Sequence, residues 1–342
     1  MKKSAFFLPV TACILSWVFS GCAASHLYLE TTTPEEHGIS PVKITDESQN
    51  SVVANLSNLS VYSLNSTGYG GYREKGFFWN TGKRIAVSPD GTELAYISNV
   101  NDSRNVMVKK SSAGGPSTQR TFRRAQNVFW GDDNRLYFND NTSNTSTLGS
   151  VDSKQGSLVK QLTSNNNDWS PNLSKDGKIL YFTRFDSSGP YIWSLNTETG
   201  ELTSCTRGFG PVVDGAESGK IYCVRNSTKG NSEIWHIDLV KGDEMLVLSD
   251  TKRGFSDPAV SPDGKCLLVV GNSLSSISKK QNTDIFIVRT DGSQLTQITY
   301  HPETDCSPIW SRDGRYIYFL SSRGNKNRKF NIWRIDTPLL NR

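Results

Sequence analysis

The sequence contains few of the residues on which most catalytic and metal centres depend. Its 342 residues include six cysteines, three methionines and four histidines, which are His26, His37, His236 and His301. Motifs for nucleotides, serine hydrolases, zinc and calcium are absent, since there is no Walker loop, G-x-G-x-x-G, G-x-S-x-G, H-E-x-x-H or D-x-D-x-D-G. We therefore expect no catalytic residue, no metal and no cofactor, and we interpret the histidines as surface or strand residues.

A strong charge of one sign is also missing. Lys and Arg number 38 against 33 Asp and Glu, so the formal net charge is +5. It falls to about +3 if Lys2 and Lys3 are removed with a signal peptide. Such a small excess does not predict nucleic-acid binding. The 28 glycines and the 10% of aromatic residues instead favour short strands joined by tight turns.

The longest apolar stretch stands at the N-terminus. Two lysines precede a mainly apolar run over residues 5–19, which is the layout of a secretory signal peptide and is too short for a transmembrane helix. The next four residues, Phe19-Ser20-Gly21-Cys22, resemble the bacterial lipobox. The resemblance implies that residues 1–21 are removed and that Cys22 is acylated, with palmitate among the acyl groups. An ordinary signal peptide and a retained membrane anchor are the alternatives. Because Ala23-Ala24 follows, the resemblance implies an outer-membrane lipoprotein that faces the periplasm.

The segment after Cys22 has the composition of a linker. Residues 22–58 are rich in Thr, Ser, Asn and Glu, with Pro34 and Pro41 and only scattered apolar positions. This composition predicts a flexible tether that spaces a globular body from the membrane. The folded domain is then expected over residues 59–342.

A turn signature recurs through the folded domain with spacings of 43, 43, 42, 45 and 50 residues. It reads S-P-D-G at 88–91 and 261–264, S-K-D-G at 174–177 and S-R-D-G at 311–314, with weaker forms at 131–134 and 216–219. Asp can bond back to the backbone and Gly accepts the positive φ that closes a hairpin, so each signature predicts a turn between two strands. A period in the low forties is that of a four-stranded propeller blade. The sequence therefore predicts an all-β, six-bladed β-propeller.

The sixth blade lacks a fourth strand, because only six residues follow the strand-like residues 331–336. An unpaired edge would leave backbone groups unsatisfied, so a strand from elsewhere must close the ring. Residues 72–79 are strand-like and could supply it. Residues 61–65 (VYSLN) resemble residues 192–196 (IWSLN), so seven blades stay an alternative.

A specific resemblance appears in the last two blades. Residues 307–319 (SPIWSRDGRYIYF), followed by Ser322-Arg323-Gly324 and Asn331-Ile332-Trp333, look like the repeat of TolB-type β-propellers, and residues 257–264 (DPAVSPDG) match it again. The resemblance implies a propeller that binds proteins. TolB carries a further N-terminal α/β domain for which we expect no room in this chain. A partner or sensor in a Tol–Pal-like assembly is therefore kept as a third alternative.

Cysteines, aspartates and tryptophans recur within the repeat. The sequence does not decide whether Cys205 and Cys223 form a disulfide or remain buried free thiols. The same two alternatives apply to Cys266 and Cys306. Asp168, Asp257 and Asp305 precede innermost strands, where we expect structural carboxylates rather than a catalytic trio. Six tryptophans are expected to pack in the core: Trp130, Trp169, Trp193, Trp235, Trp310 and Trp333.

Charge divides unevenly between the two faces of the expected ring. Loops joining second to third strands, and one blade to the next, share a face that carries 15 basic and 8 acidic residues by our sequence boundaries. We expect this face to meet an envelope protein with an acidic surface, the alternative being a solvated face without a partner. The excess comes from Arg123, Arg124, Arg207, Lys252, Arg253, Lys279, Lys280, Arg323, Lys326, Arg328 and Lys329.

These patterns predict a non-catalytic protein-binding or scaffolding lipoprotein of the bacterial cell envelope. Its contacts would be the membrane, through the N-terminal lipid, and an acidic protein, but no nucleic acid. The principal alternative is a propeller enzyme or a carbohydrate-binding protein that uses the mouth of the central channel. An enzyme should place converging titratable groups there, whereas a scaffold should show a broad exposed patch.

Overall fold

The computed structural model describes residues 36, 38–46, 83–100, 103–141, 146–154, 158–164, 167–215, 219–228, 231–274, 281–324 and 330–338. The expected signal peptide and Cys22 lie outside these residues, so both stay predictions. The described residues form 24 strands in six four-stranded sheets.

In chain order the strands are β1 (Val42–Lys43), β2 (Ile85–Val87), β3 (Glu93–Val100), β4 (Ser103–Lys110), β5 (Thr118–Gln119), β6 (Ala125–Trp130), β7 (Arg135–Asp140), β8 (Thr147–Asp152), β9 (Lys160–Gln161), β10 (Asp168–Leu173), β11 (Ile179–Asp186), β12 (Gly189–Asn196), β13 (Leu202–Arg207), β14 (Phe209–Val213), β15 (Lys220–Asn226), β16 (Ser232–Asp238), β17 (Asp243–Leu248), β18 (Phe255–Val260), β19 (Cys266–Leu274), β20 (Gln281–Arg289), β21 (Thr296–Gln297), β22 (Asp305–Trp310), β23 (Tyr316–Ser321) and β24 (Asn331–Asp336). Blades 1 to 5 are β2–β5, β6–β9, β10–β13, β14–β17 and β18–β21, and blade 6 is β22–β24 with β1.

The six sheets form a closed ring of blades. The first strand of each blade is innermost, and these strands contact one another in the cyclic order β2, β6, β10, β14, β18, β22 and back to β2. The predicted all-β, six-bladed propeller is therefore confirmed. Residues 61–65, the candidate for a seventh blade, lie outside the described residues, and the ring closes without them.

Five of the six predicted turn signatures form hairpins between first and second strands, whereas most of the signature at 216–219 lies outside the described residues. In blade 3, Ser174 Oγ donates to Asp176 Oδ1 at 2.6 Å, and the backbone N of Lys178 donates to the same oxygen at 3.1 Å. Gly177 follows with a φ of +76°, a conformation that glycine adopts without steric cost. The hydroxyl of Ser174, more than the backbone donor, holds the pKa of Asp176 below its usual range. Sequence and structure therefore agree on the first turn of the five blades in which that turn is described.

The core lies between neighbouring blades, because the middle strands are covered on both faces. In β23, Tyr318 and Leu320 pack toward blade 1, whereas Ile317 and Phe319 pack toward blade 5, and all four are buried. A strand that is buried on both faces reads as a continuous apolar run rather than an alternating one. Each such side chain contributes about 1.5–3 kcal/mol of burial free energy.

The ring is closed by a strand from the N-terminal segment. β1 pairs antiparallel with β24 through Val42–Arg334 and Lys43–Trp333. The expectation that residues 72–79 supply this strand is wrong, since β1 already covers the edge of β24. The expected tether of residues 22–58 is also wrong for residues 36 and 38–46, which belong to the propeller. Ile44 is buried between blades 6 and 1, and its carbonyl accepts a hydrogen bond from Lys109 Nζ at 2.9 Å.

Candidate functional site

One side of the ring carries the connections between second and third strands and from each blade to the next, because neighbouring strands run antiparallel. We call this side the loop face. Its described residues are 120–124, 141, 146, 162–164, 167, 187–188, 208, 227–228, 231, 249–254, 298–304, 322–324 and 330. The opposite side, which carries the turn signatures, is the turn face.

The basic residues expected on the loop face are only partly described. Arg123, Arg124 and Lys252 lie in its connections and are exposed, and Arg207 is exposed at the end of β13. The other five exposed-loop candidates lie outside the described residues: Lys279, Lys280, Lys326, Arg328 and Lys329.

Several of the described basic groups have partners. Arg123 Nη1 lies 3.3 Å from Asp140 Oδ2, and the Arg207 guanidinium donates to the hydroxyl of Tyr191 at 3.1 Å. Arg253 is half-buried, with its guanidinium carbon 4.7 Å from the centre of the Phe286 ring. The face is therefore basic, but its charges are partly engaged within the protein.

Arg323, also expected on the partner-binding face, is a fully buried side chain, so this assignment is wrong. Its guanidinium donates to both Glu36 oxygens, Nη1 to Oε2 at 3.1 Å and Nη2 to Oε1 at 3.0 Å. Nη2 also donates to Asp305 Oδ2 at 2.6 Å. All three side chains are 0% exposed. Arg323 therefore holds the N-terminal segment to blade 6 instead of meeting a partner.

This buried group contains two carboxylates and one guanidinium. Burial raises the pKa of Asp305, and the positive charge of Arg323 opposes that rise. Burial alone would lower the pKa of Arg323, but the charges of Asp305 and Glu36 outweigh it. Glu36 Oε1 further accepts the backbone N–H of Tyr300 at 2.9 Å. Since Tyr300 and Arg323 both belong to connections of the loop face, Glu36 lies at that face.

The central channel is narrowed by a repeated bulge in the innermost strands. In blades 3 to 6 a residue with a positive φ of 50–61° precedes a proline, and the pairing register shifts at that point. Proline suits such a site because the residue there donates no backbone hydrogen bond to the neighbouring strand. The bulges are Ser170-Pro171, Gly210-Pro211, Asp257-Pro258 and Ser307-Pro308.

Lys83 crosses this channel from blade 1. Its Nζ donates to the carbonyl of Asp257 at 2.7 Å and to that of Pro308 at 3.1 Å, in blades 5 and 6. Burial lowers the pKa of Lys83 to about 8, although the charge of Asp257 opposes the fall. Burial likewise lowers the pKa of the neighbouring Arg84 to about 10.

Little space remains beside Lys83. The centre of a water molecule can occupy about 20 Å³ there, which is room for one water. Among the described residues, the buried side-chain amide of Asn127 in this cavity finds no hydrogen-bond partner, so a water suits the position. The described channel thus holds titratable groups, and the cavity beside Lys83 has room for about one water.

The other residues singled out in the sequence have structural surroundings. Asp168 accepts two hydrogen bonds from the Arg184 guanidinium, at 2.7 and 3.0 Å, which ties the carboxylate to the neighbouring strand β11. Asp257 lies at a bulge, two positions further into its strand than Asp168 and Asp305. The cysteines Cys205, Cys223, Cys266 and Cys306 are free thiols. Five of the six tryptophans pack in the hydrophobic clusters, as expected: Trp130, Trp193, Trp235, Trp310 and Trp333.

Histidines form no cluster in the part of the chain that the structure describes. His236 Nε2 lies 3.1 Å from Asp214 Oδ2, and the buried His301 accepts the backbone N–H of Glu303 through Nδ1. No group of three or more His, Cys, Asp or Glu side chains that could hold a metal occurs among the described residues. Within the described residues, no helix is long and apolar enough to cross a membrane.

Sequence reasoning missed Glu36 and Lys83. Glu36 stands in a polar segment with no local pattern, so nothing nearby indicates burial. The X-Pro pair at the bulge recurs in four blades and could have located the channel lining. Lys83 itself comes before the first signature and has no counterpart in the other blades.

Comparison with known proteins places this architecture among propellers. No protein-family model matches the sequence. An uncharacterised protein of Agrobacterium fabrum is 30% identical over 174 residues, which are 48% of this chain and 53% of that protein. Dipeptidyl-peptidase 5 of Porphyromonas gingivalis is 35% identical over 69 residues, 20% of this chain and 10% of the peptidase. The chain therefore spans about half of the first relative and a tenth of the second.

Solved structures with the same fold include TolB proteins. TolB of Agrobacterium tumefaciens superposes with a TM-score of 0.56 and 18% identity, covering 75% of this chain and 90% of that one. TolB of Acinetobacter baumannii superposes with a TM-score of 0.57 and 16% identity, covering 72% of this chain and 64% of that one. Oligogalacturonate lyase of Vibrio parahaemolyticus superposes with a TM-score of 0.52 and 11% identity, covering 76% of this chain and 90% of the lyase. The chain has a TolB-like six-bladed β-propeller fold, and an oligogalacturonate lyase is among the structures that share this fold.

Proposed function

We propose that this protein is a lipid-anchored propeller of the bacterial cell envelope that binds a partner without catalysing a reaction. The anchor is the acylated Cys22, and the location is the periplasmic side of the outer membrane. The signal-like residues 1–21 and the lipobox-like quartet support the anchor. The resemblance to TolB-type propellers, which act in the periplasm, supports the compartment.

The small cavity beside Lys83 in the channel supports the non-catalytic part of the proposal. Lys83 is the titratable group best placed for chemistry, yet its ammonium is held by two backbone carbonyls. A cavity with room for one water admits no sugar or peptide beside it. By contrast, Arg123, Arg124, Arg207 and Lys252 are exposed across the loop face, the broad arrangement that a binding module would use.

Crosslinking in intact cells followed by mass spectrometry tests the binding role. We expect adducts with acidic partners, anionic phospholipid included, that are lost when Arg123, Arg124 and Lys252 are all changed to Glu. The matched control changes Arg315 and Lys241, which are exposed on the turn face, and should leave the partners unchanged. If the loop-face variant retains every partner, the basic residues do not guide binding. Mass spectrometry of the mature N-terminus tests the acylation separately.

The specific observation that favours an enzyme is the low pKa of Lys83 beside Asp257 in a fold shared with a lyase. Such an amine would act as a general base near neutral pH. We therefore include oligogalacturonate in a turnover assay of the purified protein. We expect no product; turnover that disappears in Lys83→Met would replace the non-catalytic proposal with the enzymatic one.

A further inference from the structure

The N-terminal segment contacts the propeller on one of its two faces. Glu36 is held at the loop face by Arg323 from the β23–β24 connection and by the backbone of Tyr300 from the β21–β22 connection. The chain before Glu36 therefore joins the propeller on that face. The turn face is on the other side of the ring.

The covalent distance to the anchor is short. Fourteen residues lead from Cys22 to Glu36, and even a fully extended chain of that length spans only about 50 Å. If Cys22 is acylated, as the proposed function holds, the connection to the anchor starts from the loop face. That face can then approach the lipid surface without the chain passing round the ring.

An aromatic side chain projects from the same face. Phe122 lies in the β5–β6 connection and is 86% exposed, which is unusual for a large apolar residue. The connection is fixed on both sides of it, because Thr121 is buried and accepts the backbone N–H of Val106 at 3.0 Å, and Ala125 is fully buried. Phe122 is therefore held outside the core by the fold itself.

Two exposed arginines follow Phe122 directly. Arg123 and Arg124 are exposed, and Arg123 shares its charge with Asp140 at 3.3 Å. The described connections of the loop face also contain Lys252 and Arg253, with Asp250 and Glu303 as their acidic residues. An aromatic ring suits the interfacial layer of a bilayer, and guanidinium groups beside it can bind phosphate oxygens. An exposed Phe-Arg-Arg tip thus has the chemistry of a contact with anionic phospholipid.

We propose that the loop face rests on the anionic phospholipid surface of the membrane that carries the Cys22 acyl chains, with Phe122 in the interfacial layer and Arg123 and Arg124 on lipid phosphates. This inference rests on the proposed function and names the acidic surface that the basic residues meet. Lipid is favoured over protein because the connection to the anchor and the Phe-Arg-Arg tip share one face.

Photocrosslinking from two equally exposed positions tests this orientation. The full-length protein carries benzoylphenylalanine at Phe122 on the loop face or, as the matched control, at Val240 on the turn face, which is 80% exposed. Each form is reconstituted in vesicles of phosphatidylcholine with phosphatidylglycerol. We expect roughly tenfold more lipid adduct from position 122 than from position 240, and less in phosphatidylcholine alone. Equal adducts at the two positions, or none at 122, would overturn the proposal.

The same crosslinker in cells distinguishes lipid from protein. A protein adduct at position 122 in place of lipid would assign the loop face to a protein partner and refute the lipid assignment. The double variant Arg123→Glu with Arg124→Glu should lower the lipid adduct several-fold. Its thermal unfolding is measured alongside, because Arg123→Glu also removes the ion pair with Asp140, and the comparison is made at a temperature at which both proteins are folded.

Acylation of Cys22 is measured independently of lipid binding by the loop face. If mass spectrometry finds no acyl group on Cys22, the isolated protein is sedimented with added phosphatidylglycerol vesicles. Binding that Phe122→Ala weakens would support the lipid-binding face even though the anchoring proposal fails. Binding that is equal for the unmodified protein, Phe122→Ala and the double arginine variant would refute the face as well.

Discussion

Arg323 and Glu36 stand 287 residues apart in the sequence and form a buried ion pair with two hydrogen bonds, at 3.1 and 3.0 Å. The pair joins the N-terminal segment to the last blade, and Asp305 shares the same guanidinium at 2.6 Å. Together with β1, this contact closes the ring. A propeller held in this way depends on residues that the repeat itself does not contain.

Replacing Arg323 by Met should destabilise the protein by about 3–5 kcal/mol, because Glu36 and Asp305 are then left as buried carboxylates without their counter-ion. The measurement is chemical denaturation followed by tryptophan fluorescence. Arg315→Met is the matched control: Arg315 is 79% exposed and 3.6 Å from Asp313, so its loss should cost less than about 1 kcal/mol. Equal effects of the two changes would contradict the buried ion pair.

Thr45→Val tests whether the N-terminal segment is part of the native ring. The hydroxyl of Thr45 accepts the backbone N–H of Ile332 at 2.9 Å, just as Thr163 accepts that of Leu148 at 3.1 Å in blade 2. Each substitution should lower the free energy of unfolding by about 1–2 kcal/mol, since a buried backbone donor loses its acceptor. A cost for Thr163→Val but none for Thr45→Val would return residues 38–46 to the tether.

Asp176→Asn should lower stability at neutral pH more than in acid. The hydrogen bonds from Ser174 and Lys178 depress the pKa of Asp176 in the folded state from its ordinary value of 3.8. The resulting stabilisation is therefore complete above that value and is lost as the pH falls through the lower folded pKa. Urea midpoints from pH 2 to 7 should show the gap between wild type and variant narrowing below about pH 4.

Ser174→Ala provides the control for the Asp176 experiment. It removes the donor that contributes most to the depressed pKa but keeps the carboxylate. The same acid-dependent part of the stability should shrink. A gap that stays constant with pH in both variants would show that the turn carboxylate is not stabilised in its charged form.

Lys83→Met should become relatively less stable than the wild type as the solution turns alkaline. In the folded wild type the Lys83 pKa is about 8, against 10.5 ordinarily, so between these values the unfolded chain binds a proton that the folded chain has released. Wild-type stability therefore rises across pH 8 to 10.5 relative to the variant, by about 1–3 kcal/mol. Denaturation of both proteins at each pH checks this, and a constant difference would contradict it.

Thiol labelling should separate Cys223 from Cys205. Burial raises the pKa of Cys223 to about 12 and also raises that of Cys205, which is only half-buried. Since the thiolate is the reactive form, Cys223 should stay unlabelled at pH 8 until the protein unfolds, while Cys205 reacts slowly. Unfolding without reductant should expose both thiols. A shortfall that reductant restores would mean that a disulfide links them.

Local patterns sufficed for the blades. The serine, aspartate and glycine of each strong signature act within five residues of one another, so their hydrogen bonds could be expected from the sequence alone. The apolar runs that follow were also informative, because middle strands are buried on both faces. Blade number and strand order followed from the repeat.

The closing strand was harder because β1 has only two residues and pairs with a strand almost 300 positions later. A signal was nevertheless present. Ile44-Thr45 repeats the Ile298-Thr299 that ends blade 5, and in both cases the threonine hydroxyl accepts a backbone N–H of the neighbouring strand at 2.9 Å. The polar composition of residues 22–58 nevertheless favours a tether, and this single match does not outweigh it.

The face assignment was limited by the same difficulty. Sequence and topology place Arg123 and Arg323 on one side of the ring, but only contacts decide which of them is exposed. Arg323 meets Glu36 and is buried, whereas the fixed connection around Phe122 keeps Arg123 in solvent. Charge counted along a chain cannot show which groups neutralise one another.

The sequence by itself determined the repeating blade, its turns and its buried strands, since each arises from residues that are close together in the chain. Only the tertiary structure decided how the ring closes, which arginine is buried and what fills the channel. Glu36 with Arg323, and Lys83 with the carbonyls of Asp257 and Pro308, meet only once all six blades are in place. Such contacts between distant residues leave no periodic trace in the sequence.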